Sequence, residues 1–141
     1  MSEQNRRAFL QLIRTAEGTA GSDGYRIMNG GERFTSFKNH PGRIGSGGTT
    51  TAAGAYQFTK GTWAGLQLTL KLSDFTPPNQ DRAAIQKLKE RGALPYIDSG
   101  DVITAFSKLA KEWVSLPGGS QPQKTIAESK NIFQSAGGQL A

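Results

Sequence analysis

The sequence contains no cysteine and only one histidine among its 141 residues. Without thiolates, neither disulfide bonds nor cysteine metal sites can form, and a single histidine excludes a multi-histidine zinc centre. We therefore expect a protein that uses neither a metal nor another cofactor.

Long apolar runs are also missing. No stretch approaches the roughly 20 apolar residues that a membrane-spanning helix requires. The opening residues, MSEQNRRAFL, lack the apolar core of a secretory signal. We expect a chain that is cytoplasmic when made and has no stable membrane association.

Acidic residues are scarce relative to basic ones. Eleven Asp and Glu against 17 Lys and Arg give a formal net charge of +6. Such an excess favours encounter with a polyanion, which could be nucleic acid, anionic lipid or bacterial cell wall, although solubility alone is the alternative. The basic residues form no dense block and no nucleic-acid motif is present, so we expect no nucleic-acid partner.

Glycine, in contrast, is abundant, with 18 residues that punctuate the periodic segments. The apolar spacing from Arg7 to Ala16 predicts a helix with one buried face, which Gly18 ends. The pair Asn29-Gly30 between two short apolar segments predicts a β-hairpin. A glycine- and threonine-rich loop follows, over about 39–58.

The second half of the chain has helical patterns. Helices are predicted near 60–71, over the segment that opens with Pro77 and closes at Gly92, and near 126–136. The clearest helix is capped by Asp101, includes Trp113 on its apolar stripe and ends at Pro117. The order of elements predicts one α+β domain over residues 1–141, with a small β-hairpin lobe, a larger helical lobe and a groove between them.

Glu17 is the acidic residue with the most unusual position. It lies at the edge of the apolar stripe and at the C-terminal end of the first predicted helix. Partial burial and the negative end of the helix dipole both disfavour its ionised form, which would raise its pKa. A carboxylic acid that stays protonated can donate to a leaving-group oxygen. The alternative is a surface carboxylate that forms an ion pair with an arginine.

A second catalytic carboxylate is hard to find. Glycoside hydrolases usually need one as nucleophile or water-activating base, and only Asp23 and Glu32 lie between Glu17 and Asp74. Asp23 has the setting of a turn former, and Glu32 that of a solvated charge at a hairpin tip. A lone acid suits lytic transglycosylation, in which the C6 hydroxyl of the sugar attacks its own anomeric carbon.

Several ordered fragments carry a family resemblance. RRAFLQLIRTAEGT, GYRIMNGGERFTSFKNHP, GAYQF, LSDFTPPNQDRAAIQKLKERGALPYIDSGDV and WVSLPGG resemble the phage lambda endolysin family of lytic transglycosylases, from about Arg7 to Gly138. The resemblance implies a lysozyme-like fold and cleavage of the bond between N-acetylmuramic acid (MurNAc) and N-acetylglucosamine (GlcNAc) in peptidoglycan. The alternatives are a hydrolytic muramidase and a non-catalytic, glycan-binding virion component.

The resemblance also implies site residues. The family's catalytic glutamate, in its Ser-Glu-Gly-Thr stretch, corresponds to Glu17. Tyr56 and Gln57 match a family Tyr-Gln pair that would line the groove, although core packing of Tyr56 is the alternative. Further substrate-binding candidates are Tyr25, Thr35 and Gln121. Two positions depart from relatives, since Arg26 follows Tyr25 in place of an aspartate, and Gln121 stands near where relatives carry a tyrosine.

The biological setting follows from the same resemblance. The expected partner is the peptidoglycan glycan strand, reached in the periplasm from the host cytoplasm with the help of a holin. A monomer is expected. The single histidine, His40, is expected to make a structural hydrogen bond, and a ligand contact is the alternative.

Overall fold

The computed structural model describes residues 2–141 and is mostly helical. Its helices are α1 (Ser2–Glu17), α2 (Lys60–Leu70), α3 (Pro77–Glu90), α4 (Leu94–Ser99), α5 (Val102–Leu109) and α6 (Ile126–Ser135), with a 3-10 turn at Gly24–Arg26. The chain divides into two compact units. The helical unit comprises the residues up to Glu17 and Lys87–Ala141, and the loop-rich unit comprises Gly18–Gln86. Within residues 2–141, no helix has the length and apolarity needed to cross a membrane.

Helix α1 organises the helical unit. Its predicted apolar face is buried, and it packs against α4 and α6. The ring of Phe9 lies 5.8 Å from that of Phe106 and 6.5 Å from that of Phe133. The helix begins at Ser2, earlier than predicted, because Asn5 is also buried. The Asn5 side chain donates to the Ile97 carbonyl at 3.0 Å and accepts from the Gln139 N–H at 2.9 Å.

The helix predicted from Asp101 to Pro117 is correct only in its first half. The Asp101 side chain caps α5 as predicted, but the helix ends at Leu109. Beyond it the chain folds back, and the carbonyls of Val114 and Ser115 accept from the N–H groups of Gln121 and Gln123, both at 3.0 Å. A continuing helix could not form these pairs. Trp113 is nevertheless buried, although it lies outside the helix.

Helix α4 was not predicted from the sequence. It is short and closes at Gly100, which has a φ of 82°. A β-carbon at Gly100 would lie 2.3 Å from the Gln139 carbonyl oxygen. Glycine is therefore required where α4 ends, and the close approach brings the C-terminal residues against this turn.

The predicted β-hairpin is present as single residue pairs only. Ile27 pairs with Arg33 across a turn, Met28 pairs with Ala53, and Ala53 also pairs with Phe58. In place of a continuous ladder, the hairpin backbone bonds to the long loop: the Asn29 N–H donates to the Ala52 carbonyl, and the Ile27 carbonyl accepts from the Gly54 N–H. The Asn29 side chain adds to these contacts. Its side-chain oxygen accepts from the N–H groups of residues 49 and 50. The long loop predicted after residue 38 is confirmed, and isolated backbone pairs and side-chain hydrogen bonds hold it.

An aromatic cluster forms the core of the loop-rich unit. The ring of Trp63 meets that of Phe75 edge-on at 4.6 Å, and the ring of Phe34 lies 5.7 Å from Phe75. Gln80 is the only fully buried amide side chain of this unit. It accepts from the Ala55 N–H and donates to the carbonyls of Tyr25 and Phe75. One side chain thus joins three separate loop segments.

Candidate active site

Glu17 is the last residue of α1. Gly18 follows it with a φ of 77°, a left-handed conformation that stops the helix there. The hydroxyl of Ser115 donates to the Glu17 carboxylate. Ser115 is itself buried and lies in the segment that folds back after α5. The helix end and the folded-back segment together hold the carboxylate of Glu17 in a fixed position.

The surroundings of Glu17 make its proton harder to remove. Burial raises the pKa of Glu17, and the Ser115 hydrogen bond lowers it by a smaller amount. Within residues 2–141, Glu17 forms no ion pair, so the arginine-paired alternative does not describe this residue. A half-buried carboxyl with a raised pKa can be protonated when substrate arrives and can take a proton back afterwards.

Replacement of Ser115 by Ala should raise the pKa of Glu17 further. The hydroxyl donates to the charged form, and its loss removes the one contact that favours ionisation. Carboxyl ¹³C NMR as a function of pH measures this shift directly. Ser135→Ala, at the exposed end of α6, is the matched control and should leave the titration of Glu17 in place. A lower pKa in Ser115→Ala would contradict the assignment.

The two predicted tyrosines meet at one carboxylate in the loop-rich unit. The hydroxyl of Tyr56 donates to Oδ1 of Asp81 at 2.6 Å, and that of Tyr25 donates to the same atom at 2.9 Å. Burial and the charge of Asp81 both raise the pKa of Tyr56. Sequence reasoning missed Asp81, whose only signal was an acidic residue in the first half of α3.

Tyr56 lies in the core, which is the alternative that the sequence left open. Only 1% of the residue is exposed, so its ring offers no surface to a saccharide, in contrast to the predicted groove-lining role. Gln57 is partly exposed and has a φ of 52°. Its amide nitrogen donates to the carbonyls of Ile27 and Gly54. Both residues therefore shape the turn at 54–57, and substrate contact by Gln57 stays a prediction.

The remaining substrate-binding candidates are exposed. The carbonyl of Thr35 accepts from the guanidinium of Arg26, which also lies 4.0 Å from the centre of the Phe37 ring. Arg26 thus holds the 35–37 segment by contacts that an aspartate could not make. Gln121 belongs to the helical unit, in the same folded-back segment as Ser115. Saccharide binding by Thr35 and Gln121 stays a prediction.

Asp23 and Glu32 both form ion pairs with arginines, which the sequence did not predict. The carboxylate of Asp23 lies 2.7 Å from Nε of Arg33, and that of Glu32 lies 2.6 Å from Nη2 of Arg43. Their arginine partners lower the pKa of both, that of Glu32 to about 2. Both remain ionised under ordinary conditions and are occupied by internal contacts.

His40 makes the structural contacts predicted for it. Nε2 lies 2.7 Å from the Phe58 carbonyl oxygen, and Nδ1 accepts from the Gly42 N–H at 2.9 Å. These two partners favour the neutral ring with its proton on Nε2. Burial lowers the pKa of His40, which also favours the neutral ring. In the described part of the chain, no group of three or more His, Asp or Glu side chains is arranged to hold a metal ion.

Comparison with known proteins identifies the family of this chain. A sequence model of the Endolysin family matches residues 7–140. The chain is 38% identical to the endolysin of Escherichia phage lambda, over 94% of this chain and 91% of that protein. It is 35% identical to the endolysin of Escherichia phage P2, over 97% of this chain and 95% of that protein.

The fold agrees as well. A structure of bacteriophage lambda lysozyme complexed with a chitohexasaccharide superposes with a TM-score of 0.90 at 36% identity, covering 98% of this chain and 97% of that one. A second structure of the lambda lysozyme gives 0.89. The predicted lysozyme-like fold is therefore confirmed. With the match to the family model and these identities over nearly the whole chain, the protein belongs to the endolysin family.

Proposed function

We propose that this endolysin cleaves the β-1,4 bond between MurNAc and GlcNAc in peptidoglycan by lytic transglycosylation, which causes lysis of the host cell. The observation that carries the proposal is the state of Glu17, a half-buried carboxyl with a raised pKa whose position is fixed by Ser115. Such a group can act first as an acid and then as a base.

The proposed reaction needs one protein group. Glu17 donates its proton to the glycosidic oxygen as the bond from that oxygen to C1 of MurNAc breaks. The C6 hydroxyl oxygen of the same MurNAc then bonds to C1, and its proton passes to the Glu17 carboxylate. The products are a free GlcNAc hydroxyl and a 1,6-anhydro-MurNAc end, and Glu17 is protonated again. No water is consumed.

The other carboxylates of the loop-rich unit support a mechanism with one acid. This unit contains four acidic residues: Asp23, Glu32, Asp74 and Asp81. Each accepts internal hydrogen bonds, from Arg33, from Arg43 and the Ser46 N–H, from Thr76 and Asn79, and from two tyrosines respectively. A carboxylate engaged in this way is a poor nucleophile for a sugar, so an attack by the substrate's own hydroxyl is favoured.

The substrate class has independent support. The lambda lysozyme structure contains a chitohexasaccharide, and this chain is 36% identical to that protein. We therefore propose glycan strands of peptidoglycan as the partner, with Tyr25, Thr35, Gln57 and Gln121 as residues that bind or shape the saccharide site. The proposal includes a monomer that is made in the host cytoplasm, depends on a holin and acts on the wall in the periplasm.

Mass spectrometry of the products tests the mechanism. Digestion of purified peptidoglycan should release muropeptides with 1,6-anhydro-MurNAc ends, which are lighter by one water than reducing ends. Predominantly reducing ends would replace the proposal with a hydrolytic muramidase. Binding to sacculi without release of soluble fragments would replace it with a non-catalytic glycan-binding protein.

A further inference from the structure

An open pocket lies within the loop-rich unit, on the segment from Glu32 to Arg43. Its volume is about 520 Å³, within the usual range for a ligand site. Three cationic side chains line it, those of Arg33, Lys38 and Arg43, together with polar residues that include Thr35 and Asn39. We call it the basic pocket, and it is separate from the contacts that hold Glu17.

At the basic pocket, cationic side chains outnumber the carboxylates that pair with them. Arg33 pairs with Asp23 and Arg43 pairs with Glu32, but the ammonium group of Lys38 has no ion pair or hydrogen bond in the described chain. Three cations face two carboxylates, which leaves a net charge of +1. Both arginine side chains are about half exposed, at 52% and 54%. Arg33 donates from Nε to Asp23, and Arg43 donates from both Nη atoms to Glu32, so each offers a ligand only the N–H groups that these pairs leave over.

The walls of the pocket are fixed before any ligand arrives. The carboxylate of Glu32 accepts from Arg43 and from the Ser46 N–H, which ties residue 43 to the turn beyond it. The Lys38 N–H donates to the Ser36 hydroxyl at 3.1 Å. His40 is held at both ring nitrogens and is neutral. A preformed cationic pocket loses little conformational entropy when it binds an anion.

We propose that the basic pocket binds a carboxylate of the peptide stems that peptidoglycan strands carry. The inference rests on the proposed function for the identity of the substrate, and on the pocket for the chemistry of recognition. Free carboxylates of the stem match the charge of Lys38, whose ammonium group has no internal partner, and the remaining N–H groups of the two arginines. The hydroxyl of Thr35 and the amide of Asn39 suit the peptide groups beside them. The enzyme thereby distinguishes peptide-bearing strands from bare glycan.

Two substrates and two variants test this inference. The ratio of kcat/KM on peptide-bearing strands to kcat/KM on strands stripped of peptide by an amidase is measured for each protein. In Lys38→Gln the ratio should fall about 5-fold, because one charge-assisted contact is lost. Lys89→Gln removes the same charge from an exposed position on α3 and should leave the ratio as in the wild type. Equal ratios in all three proteins would overturn the inference.

A binding measurement with a free stem peptide gives a second test. The peptide should shift the backbone amide NMR signals of residues 36–39 in a saturable way, and the same peptide with amidated carboxylates should not. Equal shifts with both peptides, or shifts elsewhere only, would overturn the inference. Wild-type protein that cleaves neither kind of strand would instead overturn the proposed function, so the two failures are distinguishable.

Discussion

Glu17→Gln is expected to abolish the clearing of purified peptidoglycan, with a loss of at least about 10³-fold in kcat/KM. Glutamine has nearly the same shape but can neither give a proton to the glycosidic oxygen nor take one from the C6 hydroxyl. The loss should appear in turbidity assays on sacculi and in the yield of anhydro-muropeptides.

The fold of this variant should survive. Burial disfavours the charge of Glu17 at neutral pH, and a neutral amide removes that cost while its oxygen can still accept from Ser115. Circular dichroism and urea unfolding should therefore show stability at least equal to that of the wild type. Glu3→Gln, on the exposed first turn of the same helix, is the matched control and should retain full activity. Lysis by Glu17→Gln at the wild-type rate would contradict the catalytic role of Glu17.

Gln80→Leu is expected to have the largest effect on stability. Leucine fills a similar volume but leaves the Ala55 N–H and the carbonyls of Tyr25 and Phe75 without their partner. Each buried polar group left unpaired costs roughly 1–3 kcal/mol, and partial relaxation gives an expected loss of about 3 kcal/mol in the free energy of unfolding. Urea denaturation measures it.

A control separates this loss from the general effect of adding a leucine. Gln134→Leu, on the exposed side of α6, should change the free energy of unfolding by no more than about 0.5 kcal/mol. A change as small as that in Gln80→Leu would mean that the three hydrogen bonds contribute little. Gly54→Ala offers a related check, since its β-carbon would lie 2.4 Å from the side-chain oxygen of Gln80.

The first helix and its end could be predicted from the sequence because they depend on local order. The spacing of Phe9, Leu12 and Ile13 indicates one buried face, and Gly18 supplies the left-handed residue that ends the helix. Together they place Glu17 at the edge of that face. The pairing of Asp23 and Glu32 with arginines was not predicted, but their exclusion as catalytic partners was.

Local patterns gave wrong predictions for two elements whose backbone groups form hydrogen bonds with distant parts of the chain. The apolar stripe that includes Trp113 reads as a continued helix, but the carbonyls of Val114 and Ser115 pair with the chain returning at Gln121 and Gln123. Around Asn29, hydrogen bonds to the long loop likewise replace the predicted strand ladder. Periodicity reports which side chains are buried and carries no information on these partners.

By itself the sequence determined that one acid stands at the end of an apolar helix, that the chain is basic, and that cysteine chemistry is excluded. Only the tertiary structure brought Ser115 to that acid, 98 residues away in the chain, and moved Tyr56 into the core against Asp81. The reason is physical. Which face of a segment is buried depends on neighbouring residues, whereas the proton affinity of Glu17 depends on groups that only folding brings beside it.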